Sequence, residues 1–378
     1  MCIRITKYSW LLIFSAGVLL VACLESYQPP AISDEIDILV VDGFLNATDG
    51  SAHVKISRAT PLSSNETSPV EQGASVSIED NTGSNYSLTY VGNGEYANTG
   101  ITLLTNNKYR VVIRTNNGNE YSSDYVAVTK SPPIDSLTWK RDGDFLVVSV
   151  NTHDPERATK YYQWFFKETW EYTSKHFSSY KMVNGEPVLR DDNINRCWDE
   201  SNSTQILIAS TDRLSEDIIS EFPIARVPKT SGKISRRYSI LVEQRALTPE
   251  AYNFWLQLKK TTESLGGLFD PLPSQVLGNV RSLSSSEPVL GYFSAGYTSE
   301  KRYFIRSDEL PIELFFNPHN NDECLLDSIP TGELKLHGPG LLLVGAYPPS
   351  PVLGYTTSSP SCIDCKLLGG TTTRPDFW

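Results

Sequence analysis

The 378-residue sequence has only two methionines, no cysteine between Leu24 and Arg196, no cluster of lysine or arginine, and a single long apolar run. Each shortage excludes something. With 33 basic residues against 44 acidic ones and no basic patch, the chain is a poor match for nucleic acid, and none is expected as a partner. No second apolar stretch reaches spanning length, so nothing beyond residue 23 is expected to cross a membrane as a helix. His53, His153, His176, His319 and His337 are scattered without metal spacing, and His-Glu-x-x-His, Gly-x-Ser-x-Gly and the phosphate loop are all missing. No catalytic residue, resident metal or cofactor is therefore expected, and the chain reads as a non-enzyme. A hydrolase assembled from residues distant in sequence is the third-ranked reading.

The one long apolar run sits at the start. Arg4 and Lys7 supply positive charge, and Trp10 to Ala22 form 13 apolar-rich residues, the length of a secretory signal and too short to span a bilayer. The run ends in Leu20-Val21-Ala22-Cys23, which resembles the lipobox of bacterial lipoproteins. That resemblance implies removal of residues 1–22 and a diacylglyceryl group on Cys23, so membrane lipid is the first expected partner. A plain secretory signal ending near a cysteine is the alternative. Removal would leave 356 residues, with 31 basic against 44 acidic and a net charge of about −13. Residues 23–35 then read as anchor and tether, stiffened by Pro29 and Pro30. A single acidic residue, Glu25, follows the anchor and leaves the periplasmic and cell-surface faces as alternatives.

Aromatics make up 11% of the chain, with 19 tyrosines and 7 tryptophans, and together with threonine they suit pleated, half-buried surfaces. The expected fold class is mainly β. Over residues 36–131 short alternating runs recur, such as Val54 with Ile56, Val76 with Ile78, and Tyr109 with Val111 and Ile113. Gly92-Asn93-Gly94 and Asn117-Gly118 punctuate them as hairpin turns. This predicts an immunoglobulin-like or prealbumin-like β-sandwich, without the inter-sheet disulfide of immunoglobulin domains. Gly92 to Ala97 also matches a dinucleotide-binding spacing, but it joins two strands and reads as a turn. Pro132-Pro133 marks a boundary, and residues 132–378 form a larger β-rich domain with one packed helix over 249–264. That helix has Thr248 as N-cap, Pro249 at its first position, and Ala251, Phe254, Trp255 and Leu258 as its buried stripe. The strands of 317–360 cannot be placed from the pattern.

Four groups invite a chemical reading. Cys197, Cys324, Cys362 and Cys365 form an even set in an exported chain, which favours disulfides in one of three connectivities. The second reading is a zinc site, since the two-residue spacing of Cys362 and Cys365 would let both thiolates face one metal. Tyr162, Trp164, Phe166, Trp170 and Tyr172 share one face of a strand. Buried, they are core; exposed, Trp164 and Trp170 would be a ligand or partner surface. Glu168 in that stripe has to be paired or lie at the sheet margin. Phe269 and Asp270, in the Gly266-to-Pro273 loop, would be a binding lip if the loop does more than close the helix. Asp142, Asp144 and Asp154 lack the alternate-residue pattern of a calcium loop and read as turn formers.

Several stretches together resemble a family of uncharacterised Bacteroidota lipoproteins. They are Tyr162 to Tyr172, the Cys197-Trp198 pair, Leu247 to Asn279 with its Gly-Gly-Leu-Phe-Asp-Pro, and the ending from Cys362-x-x-Cys365 to Pro375-Asp376-Phe377-Trp378. The resemblance covers nearly all of the chain after Cys23. It implies a domain of unknown function, commonly encoded beside TonB-dependent receptors. The expected function is thus a lipid-anchored outer-membrane accessory or binding protein, acting with such a receptor and an unknown small ligand in nutrient uptake. A structural or adhesive cell-surface protein is the alternative. No catalytic residues carry over from the family.

Overall fold

Alternating burial in the first third of the chain follows from strands that face a core on one side only. The computed structural model describes residues 38–59, 69–104, 106–263, 276, 278–316, 324–338 and 340–378. The first strands are β1 (Leu39–Asn46), β2 (Ser51–Arg58), β3 (Ser75–Asp80), β4 (Asn85–Gly92), β5 (Glu95–Asn98), β6 (Lys108–Arg114), β7 (Glu120–Ser123) and β8 (Val126–Lys130). On β6, Tyr109, Val111 and Ile113 are all fully buried, with charged or half-buried residues between them. The β4–β5 turn places Asn93 at φ 51° and Gly94 at φ 75°, the left-handed region a two-residue hairpin requires. The Gly92-to-Ala97 stretch is therefore a hairpin, with no helix behind it.

A second core follows from strands whose buried faces are aromatic. Its elements are β9 (Ile134–Asp142), β10 (Phe145–His153), β11 (Tyr161–Thr173), β12 (Tyr180–Val183), β13 (Glu186–Leu189), β14 (Arg196–Asn202), β15 (Leu207–Ser210), β16 (Ile218–Pro228) and β17 (Arg237–Ala246). The sheet β16-β10-β9 packs on the inner face of β11 and β17. Leu146, Val148 and Val150 meet Tyr162, Trp164, Tyr238 and Ile240 there, two apolar sheet faces closing on each other. Helix α1 (Pro249–Glu263) comes next, and Thr248 caps it by accepting the Ala251 N–H on its Oγ1 at 3.2 Å. Ala251 and Phe254 bury their side chains against Leu247, Ile208 and Tyr292.

The two cores share a strand. After β18 (Val280–Ser282) comes β19 (Val289–Arg306), 18 residues long. Its first half pairs in parallel with β1, Leu39 opposite Val289 through Asn46 opposite Gly296, and its second half pairs antiparallel with β17. Phe293 and Ala295 lie in the first core and Ile305 in the second. β8 bonds both β6 and β19, so the pairing around the first core closes on itself and leaves few open edges. The expected boundary near Pro132 is where the chain leaves the first core, but that core also takes Val280, Val289, Phe293 and Ala295 from far downstream. Close approach of the parallel pair needs Gly291, where a Cβ would collide with the Val41 carbonyl.

The last strands are β20 (Asp327–Pro330), β21 (Leu342–Tyr347) and β22 (Gly354–Thr357). They lie within the stretch whose strands the pattern leaves unplaced, and join the β12–β13 hairpin in the order β13-β12-β21-β22-β20. The architecture is mainly β throughout the described residues.

Candidate functional site

Strand β11 changes character along its length, and the site sits where it does. Tyr162 and Trp164 are fully buried. The Trp164 indole N–H donates to Gln244 Oε1 at 2.9 Å, and its ring stacks on Phe222 with centroids 4.7 Å apart. Gln244, itself buried, uses its own amide to donate to the Pro132 carbonyl at 2.8 Å. Trp164 is thus core, and its expected place on a ligand or partner surface is corrected. The sandwich face that buries β11 covers this end of the strand, and the one polar atom of the ring is already satisfied.

Further along, the same face becomes polar. Glu168 is buried, and three side chains hold it: Tyr238 OH donates to Oε1 at 2.6 Å, Ser201 Oγ donates to Oε2 at 2.8 Å, and Lys233 pairs with Oε2. A buried carboxylate needs that set of partners. Burial, then the facing carboxylate of Glu168, pushes the Tyr238 hydroxyl well above its ordinary pKa, so it stays a donor. Lys233 also lies over the Trp170 ring, 4.5 Å from its centroid.

Trp170 is half-buried and lines a cleft of about 250 Å³ with Tyr172, Thr173, Asp199, Ser231, Gly232 and Leu368. Four parts of the chain meet there: the end of β11, β14, the turn after β16, and the C-terminal segment. Tyr172 forms a wall, donating to the Cys365 carbonyl at 3.0 Å and accepting the Gly370 N–H at 2.9 Å. Burial raises its pKa, so the phenol keeps its proton. Chemically the cleft offers an aromatic face, a carboxylate at Asp199 and a nearby cation at Lys233, enough to orient a small ligand with an apolar face and polar groups. Of its walls, Trp170 and Tyr172 stand in the aromatic stripe read from the sequence. Asp199, Ser231 and Leu368 carry no local signal, since only the tertiary fold brings them near.

Cys197 joins Cys365, with Cα atoms 5.8 Å apart, and Cys324 joins Cys362 at 5.7 Å. All four sulfurs are covalently paired, which leaves no thiolate for zinc. Cys197–Cys365 fixes the segment bearing Leu368 beside β14, where Trp198 and Thr371 also exchange backbone hydrogen bonds. Cys23, Phe269 and Asp270 lie outside the described residues. Asp142 and Asp144 pair with Arg226 and Lys229, and Asp154 accepts backbone N–H groups of its own turn. Among the described residues no three His, Cys, Asp or Glu side chains group as metal ligands.

A family model described as a domain of unknown function (DUF4249) matches residues 25–302. No curated protein matches the chain. Among solved structures, a two-domain fibronectin type-III segment of chicken tenascin aligns at 11% identity over 57% of this chain and 93% of its own, with a TM-score of 0.17. A protein from Bacteroides uniformis described as "a putative carbohydrate binding protein" aligns at 10% identity over 57% and 92%, with a TM-score of 0.16. At such scores neither likeness bears on the fold or the function.

Proposed function

We propose that this chain, which belongs to the DUF4249 family, is a lipid-anchored accessory or binding protein of a bacterial outer membrane that works beside a TonB-dependent receptor in nutrient uptake. The observation that carries the reading is Leu20-Val21-Ala22-Cys23 behind its short apolar run. Each buried methylene contributes about 0.8 kcal/mol, so acyl chains on Cys23 would hold the β domains at the membrane essentially for good. The Trp170 cleft supports binding over catalysis, because its groups suit orienting a ligand. Its walls are fixed by sheet pairing and by a disulfide, which keeps the geometry ready before a ligand arrives.

Two measurements test this. Cys23→Ala should move the chain from the membrane pellet to the soluble fraction, and a variant that stays with the membrane would end the anchor reading. Affinity purification of the wild-type chain from native membranes should recover a TonB-dependent receptor. A clean preparation without one would remove the partner.

A further inference from the structure

The opposite face of the sheet that carries Trp170 holds a second open cleft, of about 520 Å³, lined by Glu171, Ser235, Arg236, Arg237, Arg306 and Ser307 together with Asp308. Cross-strand register explains the arrangement: Glu171 of β11 stands opposite Arg237 of β17, which stands opposite Arg306 of β19. Opposite residues in an antiparallel pair share a face, so the row presents carboxylate, guanidinium and guanidinium side by side.

The arginines around this face differ in one respect. Arg306 donates from Nε to Asp308 Oδ1 at 2.9 Å and pairs a second time with its other oxygen. Arg236 donates to Glu171 Oε1 at 3.1 Å, Arg302 to Ser239 Oγ at 3.0 Å, and Arg245 to Glu243. Arg237 alone among these has neither an ion pair nor a side-chain hydrogen bond among the described residues, and its buried Nε–H finds no acceptor. Its neighbour Glu171 is engaged elsewhere, by Arg236, by Arg196 at 3.3 Å and by the Trp378 indole N–H at 3.2 Å.

What holds Arg237 is aromatic. Its guanidinium lies 4.4 Å from the centroid of Phe304 and 5.1 Å from that of Trp378. Ring faces stabilise the cation and fix its plane but accept no in-plane N–H bond. The guanidinium thus borders the open cleft with its Nε–H sealed away and unpaired, and with its terminal N–H groups bonded to no protein side chain among the described residues. Unsatisfied buried donors are rare, and a forked guanidinium matches the two oxygens of a carboxylate or phosphate.

We infer that this cleft is an oxyanion-binding site, with Arg237 as the bidentate anchor, Phe304 and Trp378 as its supports, and a small carboxylate- or phosphate-bearing molecule as ligand. The site is independent of membrane attachment and of the Trp170 cleft, so its failure would leave the proposed function standing.

The test uses the full chain purified in detergent and two probes, inorganic phosphate and succinate, titrated by calorimetry. One-to-one binding of either supports the site, and which probe binds identifies the oxyanion. No heat from either up to about 10 mM overturns it, since a preformed fork should reach at least millimolar affinity. Arg237→Lys keeps the charge and loses the fork, and should weaken binding about tenfold or more; unchanged affinity also overturns the assignment. A residue-level reading needs no variant. Bound probe should slow phenylglyoxal modification of Arg237 in the wild-type chain, followed by peptide mass mapping, while exposed Arg281 reacts unchanged. Equal rates at Arg237 with and without probe exclude it as the anchor.

Discussion

The two cores are closed by different means. The first is a ring of hydrogen-bonded strands around Val54, Ile56, Val111, Ile113 and Phe293, without a disulfide. The second buries Tyr162, Trp164 and Tyr238, whose polar tips have to be satisfied inside, and both disulfides tie its surroundings together. The first core also buries Tyr96, Tyr109 and Tyr121, whose hydroxyls donate to the Glu71 and Leu104 carbonyls and to the Glu287 carboxylate. In the second core Trp164 and Tyr238 bring buried Gln244 and Glu168 indoors as partners, so that core shades into polar surface at its edge. The Trp170 cleft lies where that shading occurs.

The strongest way to break the comparison is to open Cys197–Cys365. It links residues 168 apart in sequence, for which chain entropy assigns about 5 kcal/mol of stabilisation. Cys197→Ser with Cys365→Ser should release the segment around Leu368 and Thr371 while amides of β6 keep their hydrogen-exchange protection. Equal loss of protection in β6 and β14 would mean that β19 welds the cores into one cooperative unit. Next in size is a contrast within one strand. Trp164→Ala should destabilise by about 4 kcal/mol, because a fully buried indole leaves a cavity and strands the Gln244 carbonyl. Trp170→Ala should remove only about 1 kcal/mol, since the ring already borders the cleft. Similar urea midpoints for the two variants would show that burial does not fall along β11.

Turns and strand faces of the first core were legible because their chemistry is local. Asn93-Gly94 can only be a tight hairpin, and Tyr109, Val111 and Ile113 alternate within seven residues. The continuity of β19 was not legible. Val289 to Phe293 and Arg302 to Ile305 look like separate strands because the residues where the strand passes from one core to the next, Tyr297 to Lys301, are none of them buried. The aromatic stripe of β11 was readable as a stripe, while the partner for each ring was not. Lys233, Ser201 and Tyr238 converge on Glu168 from three elements, a non-local arrangement that no spacing encodes. Disulfide connectivity was open for the same reason.

Glu168 gives the third prediction, smaller than the loss of Trp164. Glu168→Gln keeps an acceptor for Tyr238 but leaves Lys233 without its carboxylate. It should destabilise by about 2 kcal/mol in denaturant unfolding, as expected for a hydrogen-bonded charge removed from a mostly buried pair. Adding Lys233→Met should recover part of that loss by removing the orphaned cation. A double variant no more stable than the single one would show that Lys233 is held by Trp170 and solvent instead. The Tyr238 hydroxyl should titrate lower in Glu168→Gln yet stay above its ordinary pKa, since burial is the larger cause of its shift.

The smallest effect compares one acid-sensitive turn in each core. In the first, Asp80 accepts the N–H groups of Thr82 and Ser84, both at 2.9 Å, and the Thr82 hydroxyl at 2.7 Å. In the second, Asp154 accepts the N–H groups of Glu156, Ala158 and Thr159 at 3.0, 3.0 and 2.7 Å. Burial pulls Asp154 upward, but the donors outweigh it and leave its pKa below the ordinary 3.8; at Asp80 the Thr82 hydroxyl leads a larger lowering. A carboxylate with a depressed folded pKa stabilises above its unfolded value, and that contribution disappears as pH falls through the folded one. Acid below about pH 4 therefore takes more stability from the Asp80 turn, whose lowering is larger, while the smaller contribution of Asp154 is used up at a higher pH. Fluorescence can follow the Asp154 side, because Trp139, Trp164 and Trp170 belong to the second core and no described tryptophan belongs to the first. The stability gap between wild type and Asp154→Asn should be widest above pH 4 and narrow on acidification. A gap that stays constant down to pH 2 would mean that Asp154 shapes its turn without any contribution from its charge.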